Sequence, residues 1–297
     1  MNMKEVNIIE VAPRDGFQII EKFIETEKKL KIIDMLISSG IQKMQVTSFV
    51  NPKAVPQMKD AREVVKKSIE KYPDFEFTAL IPNYKGGELA VDSGIKELSY
   101  VISASESHNM ENVRRTVDES FDELKRIRED FKDIKIKLDI ATTFGCPFEG
   151  EIDINKVLKM IYTGLDMGID EIFLADTIGV ANPKQIKEVI SVVKKEFKEI
   201  DFGLHLHDTE GMGLANIYAS SELGINKFES AVGGLGGCPF APGAAGNVAT
   251  EDLVNMFEKM GVRTNISLSK LLKTTDYIKK NVKSNLTGHL SNVRRKV

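Results

Sequence analysis

The stretch "IDEIFLADT" (residues 169–177), followed closely by "PKQIKEVISVVKKEF" (183–197), decides the fold. The first run is short and apolar on both faces, as a strand buried in a parallel sheet must be; the second reads as an amphipathic helix opened by a proline. The same pairing recurs in both directions. Upstream, "VNIIEVA" (6–12) precedes a helix over 25–40, and "IQKMQVTSF" (41–49) precedes one over about 56–71. "FEFTALIP" (75–82) precedes one near 87–93, "IKELSYVIS" (95–103) a long one over about 111–131, and "IKIKLDIATT" (134–143) one over 155–168. Downstream, "DFGLHLH" (201–207) precedes 213–224, and "INKFESAVGGLGG" (225–237) precedes about 250–260. Gly40, Gly94, Gly168 and Gly224 fall where helices should end on a left-handed residue.

Eight consecutive strand–helix units in 297 residues predict an α/β chain folded as one (β/α)8 TIM barrel, residues 1–297, with about 266–297 as a C-terminal helical extension. An open doubly wound sheet is the alternative. It normally carries GxGxxG after its first strand, and here that position reads "APRDGFQ" (12–18).

Composition narrows the class of function. Net charge is −3, with lysines and glutamates interspersed, so no nucleic-acid groove is expected. No apolar run reaches the ~18 residues a membrane span needs. Two cysteines, Cys146 and Cys238, make a disulfide framework unexpected and the cytoplasm the expected compartment.

In such barrels the chemistry sits at the C-terminal ends of the strands. Arg14 and Asp15 follow the first strand, Thr47 and Ser48 end the second, and Asn83 follows the third. Ser103 and Glu106 follow the fourth, Thr142 and Thr143 the fifth, Asp176 and Thr177 the sixth. His205 and His207 end the seventh; Cys238 and Asn247 lie beyond the eighth. Residues i and i+2 of a strand share a face, so His205 and His207 can bind one metal ion, with Asp15 and Asn247 supplying oxygen. A buried structural histidine pair is the reading the spacing leaves open. Two nitrogens and two oxygens suit Mg²⁺, Mn²⁺ or Co²⁺ better than a closed zinc site.

Arg14 beside Asp15 is either a surface ion pair or a cation set to stabilise developing negative charge. "GGLGGCPFAPGAAGN" (233–247) is glycine-rich without the GK[ST] of a phosphate loop. It presents Cys238 for proton transfer, or else holds a buried inert thiol. Cys146 is expected to be structural or to support the site from behind. Glu21, Lys22 and "FDELKRIREDFKD" (121–133) are expected to be solvated, and His108 and His289 carry no pattern.

At this point "APRDGFQ", "VTSFVNPKAVPQM", "ADTIGV", "HLHDTEGMGLAN" and "GGLGGCPFAPGAAGNVATEDLV" resemble the 3-hydroxy-3-methylglutaryl-CoA lyase branch of the DRE-TIM metallolyases, over about 7–272. The resemblance implies one divalent metal on Asp15, His205, His207 and Asn247, and catalytic roles for Arg14, Asp176 and Cys238. It puts Gln18 at the substrate's border, with Gln45, Ser48 and Thr177 as further substrate-lining residues. It implies retro-Claisen cleavage of an acyl-CoA to acetyl-CoA and acetoacetate, in a homodimer. Asp176 would accept or relay the hydroxyl proton, the first base being left open. The chain departs from the pattern at Gln45, where an acidic residue is usual, at 18–22, and at Glu210, where tyrosine is common. These changes bear on the acyl group and admit a related 3-hydroxyacyl-CoA. A Claisen-condensing synthase of the isopropylmalate or homocitrate type, or an inactive metal-binding homologue, are the competing readings.

Overall fold

A computed structural model describes residues 3–237 and 246–293. Eight strands close into a parallel barrel in chain order, the last pairing with the first. β1 (Asn7–Glu10) leads to α1 (Thr26–Ser39), β2 (Lys43–Ser48) to α2 (Ala61–Lys71), and β3 (Glu76–Ile81) to α3 (Tyr84–Asp92). β4 (Glu97–Ser103) is followed by two helices, α4 (Glu106–Val113) and α5 (Val117–Asp130). β5 (Lys135–Ala141) leads to α6 (Ile154–Asp166), β6 (Glu171–Asp176) to α7 (Pro183–Glu196), β7 (Gly203–Leu206) to α8 (Gly213–Ser221), and β8 (Lys227–Ser230) to α9 (Thr250–Lys259). The added helix α10 (Leu268–Asn281) packs on α1, tied by Ser267 N to Ser39 O at 2.6 Å and Lys270 Nζ to Ser38 O at 3.0 Å.

The expected barrel is therefore the observed one, with local corrections. The single helix expected over about 111–131 is two, because Arg114 takes a left-handed conformation (φ 56°) and Thr116 starts a new helix with a reciprocal capping box to Glu119. The helix expected from 56 begins as a 3-10 turn, Pro56–Met58, and becomes α-helical only at Ala61. α3 starts three residues before its expected 87, because the Asn83 side chain accepts from Gly86 N at 2.9 Å and caps it. The four glycines expected at helix ends all have positive φ. Gly40 shows why: at φ 106° a Cβ would also meet Asn265 O at 2.3 Å.

The strands bury Ile8, Val46, Ala79, Leu98, Ile136, Leu138, Ile172, Leu174, Leu204 and Phe228 within one continuous apolar core. The N-terminal end of the barrel is closed by ion pairs among its own residues: Lys43 with Glu97 (2.7 Å) and Glu171 (3.0 Å), and Lys227 with Glu171 (3.0 Å). Charges at the opposite end are arranged differently, with Arg14, Asp15, His205 and His207 gathered there. No helix among the described residues is long and apolar enough to cross a membrane.

Candidate active site

The chain leaves β1 through one wide turn, Ala12–Gly16. Glu10 shapes it: Oε1 accepts from Ala12 N at 2.8 Å and Val232 N at 3.0 Å, and Oε2 from Thr250 Oγ1 at 2.8 Å. The first and last segments of the mouth are thereby clamped together. Burial pushes Glu10 up to about 7, against the pull of those hydrogen bonds.

The turn sets Arg14 and Asp15 side by side, 8% and 6% exposed, so they are not a surface ion pair. Arg14 Nη1 donates to Asp15 Oδ1, and its Nε to Gln45 Oε1. Gln18 Nε2 adds a bond to Asp15 Oδ1 at 3.2 Å. Burial by itself would raise the Asp15 carboxyl. The charge of Arg14, then His205 and His207, and the Asn247 amide bring it below the usual range.

His205 and His207 both point into the same mouth from β7 and its end, as period-2 geometry requires, with Nε2 atoms 3.1 Å apart. One ring nitrogen of each and an Asp15 oxygen all lie within 4.8 Å of one another, a spacing that can hold a metal ion. Burial, then the neighbouring His205, pushes His207 down to about 4, which favours the neutral ring, the form able to ligate a metal. Asn247 arrives from a segment that bridges to His207. Its Nδ2 donates to Asp15 Oδ2 (2.6 Å) and Leu235 O (3.0 Å), which fixes the amide and leaves Oδ1 buried with no partner among the described residues. A buried carbonyl oxygen without a donor costs about 1–3 kcal/mol, and a cation beside Asp15 and the imidazoles would satisfy it. The donor set fits a divalent ion.

The described start of the glycine segment, residues 233–237, passes close to these groups at Gly236. A side chain at Gly236 (φ +118°) would meet Asn247 Nδ2 at 2.4 Å and Asp15 Oδ2 at 3.0 Å. Its root is held by Glu251, whose Oε2 accepts from Gly233 N at 2.9 Å; burial lifts that carboxyl to about 8. Cys238 lies outside the described residues.

Other expected site residues have local work. Asp176 is fully buried, and its oxygens accept from Val180 N (3.2 Å) and Ala181 N (3.0 Å), ordering the loop after β6. Burial raises it to about 6, a value suited to taking a proton, but it is not among the three clustered groups. Thr177 Oγ1 accepts from Thr142 N at 2.8 Å, tying β6 to β5. Among the described residues Ser48 Oγ and Gln45 Nε2 are buried without a partner. Asn83 caps α3, Ser103 bonds His108 (2.5 Å), and Glu106 accepts from Val117 N (3.0 Å). Cys146 is buried: its Sγ donates to Ser105 Oγ at 3.0 Å and accepts from Phe148 N and Glu149 N, a structural role. Glu21 and Lys22 are exposed.

Sequence reasoning missed Glu10, Lys137, Asp139, Glu229 and Glu251, all buried and ionisable. The signal was present: a charge inside a short apolar strand, as in "VNIIEVA" or "IKIKLDIA", requires a buried partner.

This chain is 40% identical to the hydroxymethylglutaryl-CoA lyase of Bacillus subtilis (strain 168) over 277 residues, covering 93% of this chain and 92% of that protein. It is 38% identical to the (R)-citramalyl-CoA lyase of Chloroflexus aurantiacus over 93% of this chain and 90% of that protein. The solved structure of an HMG-CoA lyase from Acinetobacter baumannii, in complex with coenzyme A and 3-methylmalate, superposes with a TM-score of 0.94 at 40% identity, covering 100% of this chain and 97% of that one. With such relatives along nearly its whole length, and with the HMGL-like family model matching residues 5–278, the chain belongs to the HMGL-like family.

Proposed function

We propose that this chain is a divalent-metal-dependent carbon–carbon lyase that cleaves 3-hydroxy-3-methylglutaryl-CoA to acetyl-CoA and acetoacetate by a retro-Claisen reaction. The observation that carries it is the convergence of Asp15, His205, His207 and the unpartnered Asn247 Oδ1 beside a buried Arg14. The relatives named above are lyases acting on acyl-CoA thioesters of 3-hydroxy acids, which favours cleavage over condensation and over an inactive scaffold.

Asp15, His205, His207 and Asn247 would hold the ion, Mg²⁺, Mn²⁺ or Co²⁺. The chemistry supplied there when it is bound is chelation and acidification of the substrate's tertiary hydroxyl. Loss of that proton lets the C2–C3 bond break, and its electron pair becomes an enolate on the thioester oxygen. Arg14 serves that charge. Its Nε and Nη1 are committed to Gln45 and Asp15, so the guanidinium plane is fixed and, among the described residues, Nη2 is left for the oxygen. Asp176, raised to about 6, is assigned the acceptance or relay of the hydroxyl proton. Cys238 is assigned proton delivery to the enolate carbon; its chain neighbour Gly237 belongs to the segment that crosses the ligands at Gly236. Gln18, Gln45, Ser48 and Thr177 would border the acyl group. Residues 1–297 would act as one catalytic unit, in a cytoplasmic homodimer.

A second acyl group is favoured by one observation. Gln45, the neutral residue that holds Arg14 Nε where an acidic one is usual, adds no negative charge beside the acyl group, and the Chloroflexus aurantiacus relative is named for a citramalyl thioester. Metal-loaded protein is incubated with both thioesters and others of the class, and products are identified by mass. Acetyl-CoA and acetoacetate from the first confirm the proposal; cleavage of none of them refutes it.

A further inference from the structure

Lys137 on β5 and Glu229 on β8 stand 92 residues apart in sequence and meet inside the barrel, each 2% exposed. Lys137 Nζ donates to Glu229 Oε1 and lies 2.9 Å from Asp139 Oδ1. Asp139 Oδ2 accepts from Ser99 Oγ on β4. At the other end, Glu229 Oε2 lies 2.7 Å from His205 Nδ1. The result is one buried chain, Ser99, Asp139, Lys137, Glu229, His205, that runs from the barrel interior to the histidine pair.

Each link dictates the next. An ammonium only donates, so Glu229 Oε1 must accept. A carboxylate only accepts, so its Oε2 requires the proton on His205 Nδ1. The neutral ring then carries its lone pair on Nε2, the nitrogen that faces His207 Nε2 at 3.1 Å. A ring free to choose its tautomer would present a proton there for part of the time.

We propose that Glu229, anchored by Lys137, is a positioning residue that locks His205 in its Nδ1–H tautomer and so sets the affinity of the mouth for a divalent cation. The proposal rests on the metal-centre reading above and extends it to two residues that are not ligands. Carboxylates behind metal-binding histidines commonly govern affinity by 10- to 100-fold.

The test is Glu229→Gln. Lys137 would claim the new amide's carbonyl, which turns its NH₂ toward His205 Nδ1. That nitrogen must then accept, and the proton moves to Nε2. Mn²⁺ affinity, read by calorimetry, should fall roughly 10- to 100-fold with the apo-protein's melting transition retained. Adding Lys137→Met frees the amide to turn its carbonyl to His205, so the double variant should regain most of the lost affinity. A pair that merely fills the barrel would give additive damage, the double variant binding worst. Imidazole ¹⁵N shifts of the apo-protein above neutral pH should show His205 protonated on Nδ1 in the wild type and on Nε2 in Glu229→Gln. Unchanged Mn²⁺ affinity in Glu229→Gln, a double variant weaker than the single, or a wild-type His205 protonated on Nε2 overturns the proposal. If the variants do not fold, the wild-type shifts decide it. A wild type that binds no Mn²⁺ at all would instead defeat the metal-centre reading, and the tautomer remains measurable.

Discussion

Replacing Arg14 with methionine removes the guanidinium and keeps much of the apolar stem. Two of its nitrogens are committed to Gln45 and Asp15, and among the described residues Nη2 is left for the charge that the proposed cleavage would place on the thioester oxygen. Loss of one such donor costs about 3–4 kcal/mol in the transition state, roughly 100- to 1000-fold in kcat. That charge is absent from the bound ground state, so KM should change far less. The substitution also strips Gln45 Oε1 of its donor and leaves Asp15 Oδ1 with Gln18 at 3.2 Å. One unsatisfied buried polar atom costs about 1–3 kcal/mol, a shift of a few degrees in the apo melting midpoint. Metal affinity should hold or rise, because a cation that repels a dication has been taken away while the four ligands remain. Steady-state thioester cleavage, Mn²⁺ calorimetry and thermal melts read the three effects separately. Near-normal kcat with a raised KM would show that Arg14 only binds substrate. A collapse of Mn²⁺ affinity would show that it organises the ligands instead.

His205→Ala should weaken metal binding and activity together with little loss of fold, since three ligands remain; unchanged affinity by calorimetry removes the histidine from the site. Wild-type protein should be slow on 3-hydroxy-3-methylglutaryl-CoA and Gln45→Glu faster, because a carboxylate keeps the bond to Arg14 Nε and adds the negative charge that helps hold a cation and orient the hydroxyl; a fast wild type and slower variant would deprive that position of its meaning for substrate choice. Glu251 has a folded pKa of about 8 against 4.5, so the folded state holds the proton longer than the unfolded one. Its contribution is full below about pH 4.5 and is lost as pH rises through 8, by an amount on the order of a few kcal/mol. Glu251→Gln should therefore flatten the decline of the apo melting midpoint between those pH values, and an unaltered slope would contradict it. Cys238→Ser should keep metal binding and lose most turnover, with alkylation blocked by metal plus a substrate analogue, while Cys146→Ser should do neither; an active, unprotected Cys238→Ser enzyme takes the thiol out of the mechanism.

Much of the site was legible before any fold was known. His205 and His207 share a face because strand periodicity is a local property, and the residues ending each strand must gather at one mouth if eight units close into a barrel. The capping box at Thr116 and Glu119 was equally local and would have split the helix expected over 111–131. What stayed hidden was which distant residue answers each buried charge. The partner of Glu10 Oε2 is Thr250, 240 residues on, and that of Asp15 Oδ2 is Asn247, 232 residues on.

By itself, then, the sequence determined the elements, their order and the chemistry available at their ends, because short-range sterics and the 2.0 and 3.6 residue periods are written in neighbouring residues. The tertiary structure alone decided that Arg14 is buried rather than solvated, that Gln45 lies against its guanidinium, that Asp176 orders its own loop, and that Lys137 stands behind Glu229. Those outcomes depend on the register and closure of eight strands, which bring side chains together across the barrel interior. There, away from water, each donor must find the one acceptor within reach, and no local pattern encodes which one that is.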